Sequence, residues 1–405
     1  LHAARSSADF GVEVAESSVS FDMRRVAARK DAIVSKLRDG IASLVKGRGI
    51  DFIKGAAAFS GPGKISVDGS ELSAKRVLIA TGSTWIELKN LPTDGISIVT
   101  SDEALSWTEV PRSVVIVGGG VIGCEFACML RAFGAEVTVV EATPSILPPV
   151  ERAVSRLLAR SMKGEGISLV AGTTVESAKV EGGEVLYRLS GGEERRAAKM
   201  MVAVGRRPLT AGLNLEAAGV ALTERGFVKV DSNFKTTAED VYAIGDVVGQ
   251  PMLAHAASAE GIAAVEGMFG DGGGGYDPSL CPSPIFTTPE IGAVGKTQEE
   301  LTAAGVEFKT GRFSYAACGK ALCDGESDGQ AVVHADPAGR ILGVHIVGRE
   351  AATMIAEAAL AMRRGLTVKE VAETVHAHPT LSEIFAEACE DAMGLAIHKA
   401  ASRRS

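Results

Sequence analysis

The stretch Val114–Ala127, VVIVGGGVIGCEFA, constrains the fold more than any other part of the chain. A short β-branched run leads directly into glycines, and the glycines lead into a helical pattern. Gly118, Gly120 and Gly123 fit G-x-G-x-x-G. The motif alone is weak, but here it sits between a strand and a helix, where its mechanism requires it. The first glycine permits the tight turn, the second lets backbone approach a pyrophosphate, and the third allows close helix–strand packing. The helix start then offers unpaired N–H groups and a positive dipole end to phosphate. Glu141 closes the next strand, Val137–Val140, 23 residues after Gly118. A carboxylate there accepts hydrogen bonds from both ribose hydroxyls and repels a 2′-phosphate, so the pattern favours NAD over NADP.

Other strand-like runs alternate with helical ones, which argues for a parallel α/β sheet. Phe21–Gly47 reads as one long amphipathic helix, with Val26, Ile33, Val34, Leu37, Ile41, Leu44 and Val45 at three- and four-residue steps and a basic, solvated face. Short strands follow, turning at Gly61-Pro62-Gly63 and Asp68-Gly69, and then a buried-type strand at Val77–Ala80. Val185–Val204 reads as antiparallel strands with Gly-Gly turns nearby. Asp271–Tyr276 is glycine-rich with no Lys-Ser or Lys-Thr after it, so it reads as a surface loop or boundary rather than a P-loop. Beyond it the pattern is α+β, with strands near Ala331–His334 and Ile341–Val347 and helices over Ala351–Arg364 and Leu381–Met393.

The 405 residues suffice for about two to four domains. The 47 glycines carry no G-X-Y period, which excludes collagen. The net charge of −8 argues against non-specific nucleic-acid binding. No apolar run reaches the ~18 residues of a membrane span. Six cysteines are too sparse for a disulfide scaffold.

A second strand–turn, VYAIGDVVG (Val241–Gly249), offers Gly245 for close ligand approach and Asp246 for a polyol. By itself Asp246 reads more readily as a helix cap. In HAHPTLSE (His376–Glu383), an imidazole accepts a proton near neutral pH and a nearby carboxylate orients it. By itself His378 reads first as a surface or capping histidine. Cys124 and Cys128, four apart on the glycine-rich helix, read as packing residues, and Cys281 and Cys389 lack metal-ligand spacing.

Seven strings occurring in order make the chain similar to the flavin- and pyridine-nucleotide-dependent disulfide oxidoreductases. They are ATGS (Ala80–Ser83), GGGVIGCE (Gly118–Glu125), VGRRP (Val204–Pro208), YAIGD (Tyr242–Asp246), MLAHAA (Met252–Ala257), TTPEIGAVG (Thr287–Gly295) and HAHPTLSE. The resemblance spans nearly the whole chain. It implies an α/β fold of two Rossmann-like dinucleotide-binding domains, for FAD and NAD, with a C-terminal α+β dimerisation domain. The implied divisions are residues 1–94 for the remainder of the FAD domain, 95–215 for NAD, 216–280 for a central region returning to FAD, and 281–405 for dimerisation. It also implies that Thr81 and Gly82 lie along FAD, with Asp246 at its ribityl and phosphate region beside Gly245. The backbone of Met252, Leu253, Ala254 and His255 would approach the flavin ring. Glu125 would lie by the nicotinamide, and Gly205 and Arg206 would flank NAD. Ala256 stands where the family often has lysine.

HAHPTLSE resembles the dihydrolipoamide dehydrogenase branch of that family, where such a pair is the base and its orienter and serves the partner subunit's active site. It maps to His378 and Glu383, and His376 reads as structural. Glutathione-type reductases carry a similar pair but usually prefer NADP, which Glu141 opposes. The resemblance implies a homodimer working with lipoyl domains of a 2-oxo acid dehydrogenase or glycine cleavage complex, without nucleic acid or membrane, in the cytoplasm or an organelle matrix. It places the redox disulfide, C-x-x-x-x-C followed by Pro-Ser-Lys, and the first flavin-binding glycine motif upstream of Leu1. Cys318 and Cys323 share that spacing, but lie in the C-terminal part with no Pro-Ser-Lys after them, and read as free thiols. Two alternatives stay open: a glutathione-type reductase, and a non-catalytic chain that binds NAD or dimerises.

Overall fold

The computed structural model describes residue 4 and residues 6–15, 18–249, 251–270 and 275–399. The chain forms two compact units, each interleaved in sequence. One comprises Leu1–Met23, Glu87–Val204 and Ser279–Ser405, and the other Arg24–Ile86 and Gly205–Pro278.

In the first unit, five strands form a parallel sheet in the order Ile98–Val99, Lys199–Val202, Ser113–Val117, Glu136–Glu141, Ser168–Ala171. Val114, Val115 and Ile116 are almost completely buried, as expected of a strand covered on both faces. Helices Val121–Ala132 and Arg152–Gly164 are the crossovers, which is the doubly wound pattern the alternation implies. The stretch expected to be wholly antiparallel departs from that expectation at its end. Val175–Glu181, Glu184–Leu189 and Glu194–Ala197 form an antiparallel meander, but Lys199–Val202 pairs parallel with Ser113–Val117. Gly-Gly turns mark hairpins, whereas nothing local distinguishes a short apolar strand that returns to a distant partner.

The C-terminal part of this unit is an antiparallel sheet in the order Ser283–Ile285, Ile291–Gly295, Ile341–Val347, Gln330–Ala335, Lys309–Ser314. Helices Ala351–Arg363, Val368–Glu373 and Glu383–Met393 pack on it. The core of the parallel sheet continues into this one. Ile285, Ile291, Val332 and Val347 share a buried cluster with Leu147, Leu158 and Met162.

In the second unit, Val77–Ile79 pairs parallel with Val241–Ala243, beside the meander Ala57–Gly61, Lys64–Val67, Ser70–Ser73. The strand read as buried is only partly so: Ile79 is buried but Leu78 is exposed. The long helix runs Met23–Gly47, with Ala27 as its one buried residue. Val26, Ile33, Val34, Leu37, Ile41 and Leu44 are exposed, so periodicity located the helix without locating a partner for its apolar stripe. Of the glycine-rich stretch, residues 271–274 lie outside the described residues. Among the described residues, no helix is long and apolar enough to cross a membrane.

Candidate functional site

The nucleotide-binding turn is built by close approach of backbone. Gly118 follows the buried strand with φ +112°, and a Cβ there would lie 2.4 Å from the Ala203 carbonyl oxygen. A Cβ on Gly123 would lie 2.0 Å from the Gly118 carbonyl oxygen. Any side chain at either position therefore forces the turn and helix apart. Gly120 is the N-cap of helix Val121–Ala132 and faces open space, which leaves the helix start accessible to phosphate.

Glu141 ends its strand next to this turn, nearly buried. Its Oε2 accepts from the Gly119 N–H at 2.7 Å, and its Oε1 from the N–H and hydroxyl of Thr143, each at 2.7 Å. The carboxylate is thus already oriented, and Oε2, with a single donor, retains a lone pair for a ribose hydroxyl. The glycine cradle, open helix start and fixed carboxylate fit a dinucleotide with an unphosphorylated ribose. Cys124 is fully buried in the same helix, and burial pushes its thiol up to about 12, so it packs rather than reacts. Glu125 is held from the C-terminal part, where the Phe286 N–H donates to its Oε1 at 2.8 Å.

In the second unit, residues on the C-terminal ends of the two parallel strands converge, where open α/β sheets bind ligands. Ser83 donates its hydroxyl to Asp246 Oδ2 at 2.5 Å. Arg206 Nε donates to the Ser83 hydroxyl oxygen at 2.7 Å and its Nη2 to the Ser83 carbonyl at 2.9 Å. Thr81 donates to the Leu209 carbonyl, and Gly82 has open space where a Cβ would stand. Gly245 donates its N–H to the buried Glu260 at 2.6 Å. Burial raises the pKa of Glu260, against that hydrogen bond. Met252 and Leu253 lead into helix Ala254–Phe269, and Ala254 and His255 are exposed in its first turn. A carboxylate at a strand end, an open glycine turn and an exposed helix start suit a polyol phosphate such as the ribityl chain of FAD. Sequence reasoning missed Ser83 and Glu260 as the partners of this turn. Ser83 lay inside the quoted ATGS, but nothing local revealed that it faces Asp246.

His378 and Glu383 meet in the C-terminal part. His378 Nδ1 lies 2.9 Å from Glu383 Oε1, and the Thr380 N–H donates to the other carboxylate oxygen at 2.9 Å. Burial opposes ionisation of Glu383, but the Thr380 N–H and the His378 ring together hold its pKa below the ordinary carboxylate range. An ionised carboxylate only accepts, so His378 Nδ1 carries the proton and Nε2 the lone pair. The ring is 77% exposed, so a substrate can reach that lone pair. His376 faces the other way, its Nε2 2.8 Å from Glu357 Oε1 and its Nδ1 2.8 Å from the Thr374 carbonyl. Cys318 is buried beneath the same segment and donates to the Thr380 carbonyl, whereas Cys323 is exposed, and no disulfide joins any of the six cysteines.

The chain matches the family model described as pyridine nucleotide-disulphide oxidoreductase over residues 3–261 and the dimerisation domain of the same family over residues 281–389. A dihydrolipoyl dehydrogenase of Bacillus subtilis is 42% identical, the match covering 98% of this chain and 87% of that one. A dihydrolipoyl dehydrogenase of Thermus scotoductus is 39% identical, with the same two coverages. Among solved structures, LpdA from Mycobacterium tuberculosis superposes with a TM-score of 0.88 at 27% identity, covering 95% of this chain and 85% of that one. The HOCl-induced flavoprotein disulfide reductase RclA from Escherichia coli superposes with a TM-score of 0.83 at 27% identity, covering 90% and 85%.

Proposed function

The chain belongs to the pyridine nucleotide-disulphide oxidoreductases, and from that premise we propose that it acts as a dihydrolipoyl dehydrogenase with His378 as its base. The reaction removes two electrons from a dihydrolipoyl dithiol, which closes to a disulfide, and delivers them to NAD. FAD and NAD supply two-electron carriage and hydride acceptance when bound.

The residues of this chain provide binding, orientation and proton handling. Gly118, Gly120 and Gly123 admit the pyrophosphate of NAD, and Glu141 receives its ribose. Thr81, Gly82, Gly245 and Asp246 border the flavin, with Met252–His255 approaching its ring. Glu125 serves the nicotinamide, and Gly205 and Arg206 are assigned to NAD by the family pattern. His378 Nε2 takes the proton from a dihydrolipoyl thiol, and Glu383 fixes the ring tautomer and offsets the charge the ring acquires. The thiolate left behind attacks the family's redox disulfide, forming a mixed disulfide as a cysteine thiolate leaves. Residues 1–94 and 216–280 serve the flavin in this reading, 95–215 serve NAD, and 281–405 pair with a second copy. His378 then serves the partner subunit's disulfide. The dithiol arrives on a lipoyl domain of a 2-oxo acid dehydrogenase or glycine cleavage complex, in the cytoplasm or an organelle matrix.

The observation that carries the reading is the exposed His378 ring with one nitrogen committed to Glu383 and the other free. The test is a steady-state comparison of dihydrolipoamide with glutathione and of NAD with NADP. Turnover of dihydrolipoamide with NAD, with the other pairings at least about 100-fold slower, supports it. Preference for glutathione disulfide with NADPH overturns it.

A further inference from the structure

Glu151, His334 and His345 play no part in the chemistry above, yet they are 1%, 0% and 2% exposed. One potential ligand atom from each lies within 4.8 Å of those of the other two. Glu151 stands at the N-cap of helix Arg152–Gly164, a crossover of the nucleotide-binding sheet. The two histidines come from neighbouring antiparallel strands of the C-terminal sheet. His345 pairs with Val332, two residues from His334, so the rings are diagonal neighbours on one face. Their centroids are 5.8 Å apart.

Both rings are oriented from behind. His334 Nδ1 is 3.0 Å from the Thr310 hydroxyl, which leaves Nε2 directed at Glu151 Oε2, 3.2 Å away. His345 Nε2 is 3.0 Å from the Lys296 carbonyl, which only accepts, so Nε2 carries the proton and Nδ1 the lone pair. That Nδ1 is buried and has no hydrogen-bond partner. An outer acceptor that fixes the His345 tautomer and leaves its inner nitrogen bare is what a ligating histidine requires, and His334 turns its own inner nitrogen to Glu151. A Glu151–His334 hydrogen bond accounts for two of the three groups but leaves the His345 lone pair unexplained.

We propose that Glu151, His334 and His345 form a structural binding site for a divalent first-row transition ion, with zinc as its representative. Two imidazoles and a carboxylate suit zinc, cobalt, nickel or iron and do not suit magnesium or calcium, which take oxygen ligands. Ligand atoms on a tetrahedral zinc stand about 3.4 Å apart, so side-chain shifts of about 1.4 Å or less assemble the site. The ion joins the start of helix Arg152–Gly164 to the centre of the C-terminal sheet. Glu151 also accepts the Gln298 N–H at 2.8 Å, so the same carboxylate ties a third element.

The test uses the full chain with its cysteines oxidised or blocked, stripped by a chelator and titrated with Co²⁺ and Zn²⁺. The expected result is about one equivalent per chain, with cobalt bands in the visible but no thiolate charge-transfer band. His334→Gln and His345→Gln each weaken binding at least about 10-fold. Should either variant fail to fold, the wild-type melting temperature decides. Zinc at a large excess over its dissociation constant raises it by about 5 °C or more, and magnesium does not. Substoichiometric binding, a thiolate spectrum, or equal affinity in the wild type and both variants overturns the site.

Discussion

Two of the imidazole–carboxylate pairs in the first unit stand in contrast. His378 meets Glu383 with its ring 77% exposed, while His334 meets Glu151 with both side chains almost wholly buried. At the first, one ring nitrogen is held and the other faces solvent. At the second, both nitrogens of His334 are engaged, and a second histidine closes the cluster. An exposed pair of this kind adds about 0–1 kcal/mol to stability, because water competes for both partners. A buried one is costly to break, because the survivor is stranded without water. Identical functional groups are thus suited to proton transfer at one place and to holding elements together at the other, and accessibility makes the difference.

The comparison breaks most readily at His378. His378→Gln should lower dihydrolipoamide turnover by about 10²–10⁴-fold, the usual worth of a positioned general base. Its unfolding free energy should stay within about 0.5 kcal/mol of wild type, as for an exposed substitution. Steady-state kinetics beside denaturant melts separate the two effects, and an unfolding loss matching the kinetic loss would erase the distinction between the sites. Glu151→Ala should do the reverse. Loss of about 3–5 kcal/mol in stability is expected from stranding His334, with turnover per folded molecule within about twofold. A variant that melts normally but has lost turnover would move Glu151 into the catalytic machinery.

Glu383→Gln sharpens the contrast at smaller scale. The amide cannot offset a protonated ring, so turnover should fall by about 10–100-fold while the KM for dihydrolipoamide holds. The smallest effect concerns pH. The pKa of Glu383 is lowered in the folded protein, so its contribution to stability is present above the ordinary carboxylate range and lost as pH falls through the folded value. Melting temperatures recorded from about pH 6 to about pH 3 should therefore decline slightly less steeply in Glu383→Gln than in wild type, by the equivalent of about 1 kcal/mol or less. An unchanged slope would mean that the pair contributes nothing to folding.

Local motifs were legible wherever backbone sterics demand a residue type. The glycines at 118 and 123 were readable because a Cβ at either would strike a carbonyl oxygen, and no other residue meets that constraint. The His378–Glu383 pair was readable because its members are five positions apart and a short turn brings them together. The parallel return of Lys199–Val202 to Ser113–Val117 was not, because its partner lies some eighty residues away and the local pattern resembles the hairpins before it. The exposed stripe on the helix Met23–Gly47 was equally illegible, since a periodic pattern shows which face is apolar but not what meets it.

By itself the amino-acid sequence determined the family, the doubly wound nucleotide-binding region, and the strand-end carboxylate Glu141 that argues for NAD. Each of these rests on short-range chemistry: a strand, a tight glycine turn, a helix start and one carboxylate within a single βαβ unit. Only the tertiary structure decided that Ser83 and Arg206 converge with Asp246, and that Glu151, His334 and His345 share one buried space. Those groupings bring together residues more than a hundred positions apart, and only strand register and the packing of one element on another can set their distances.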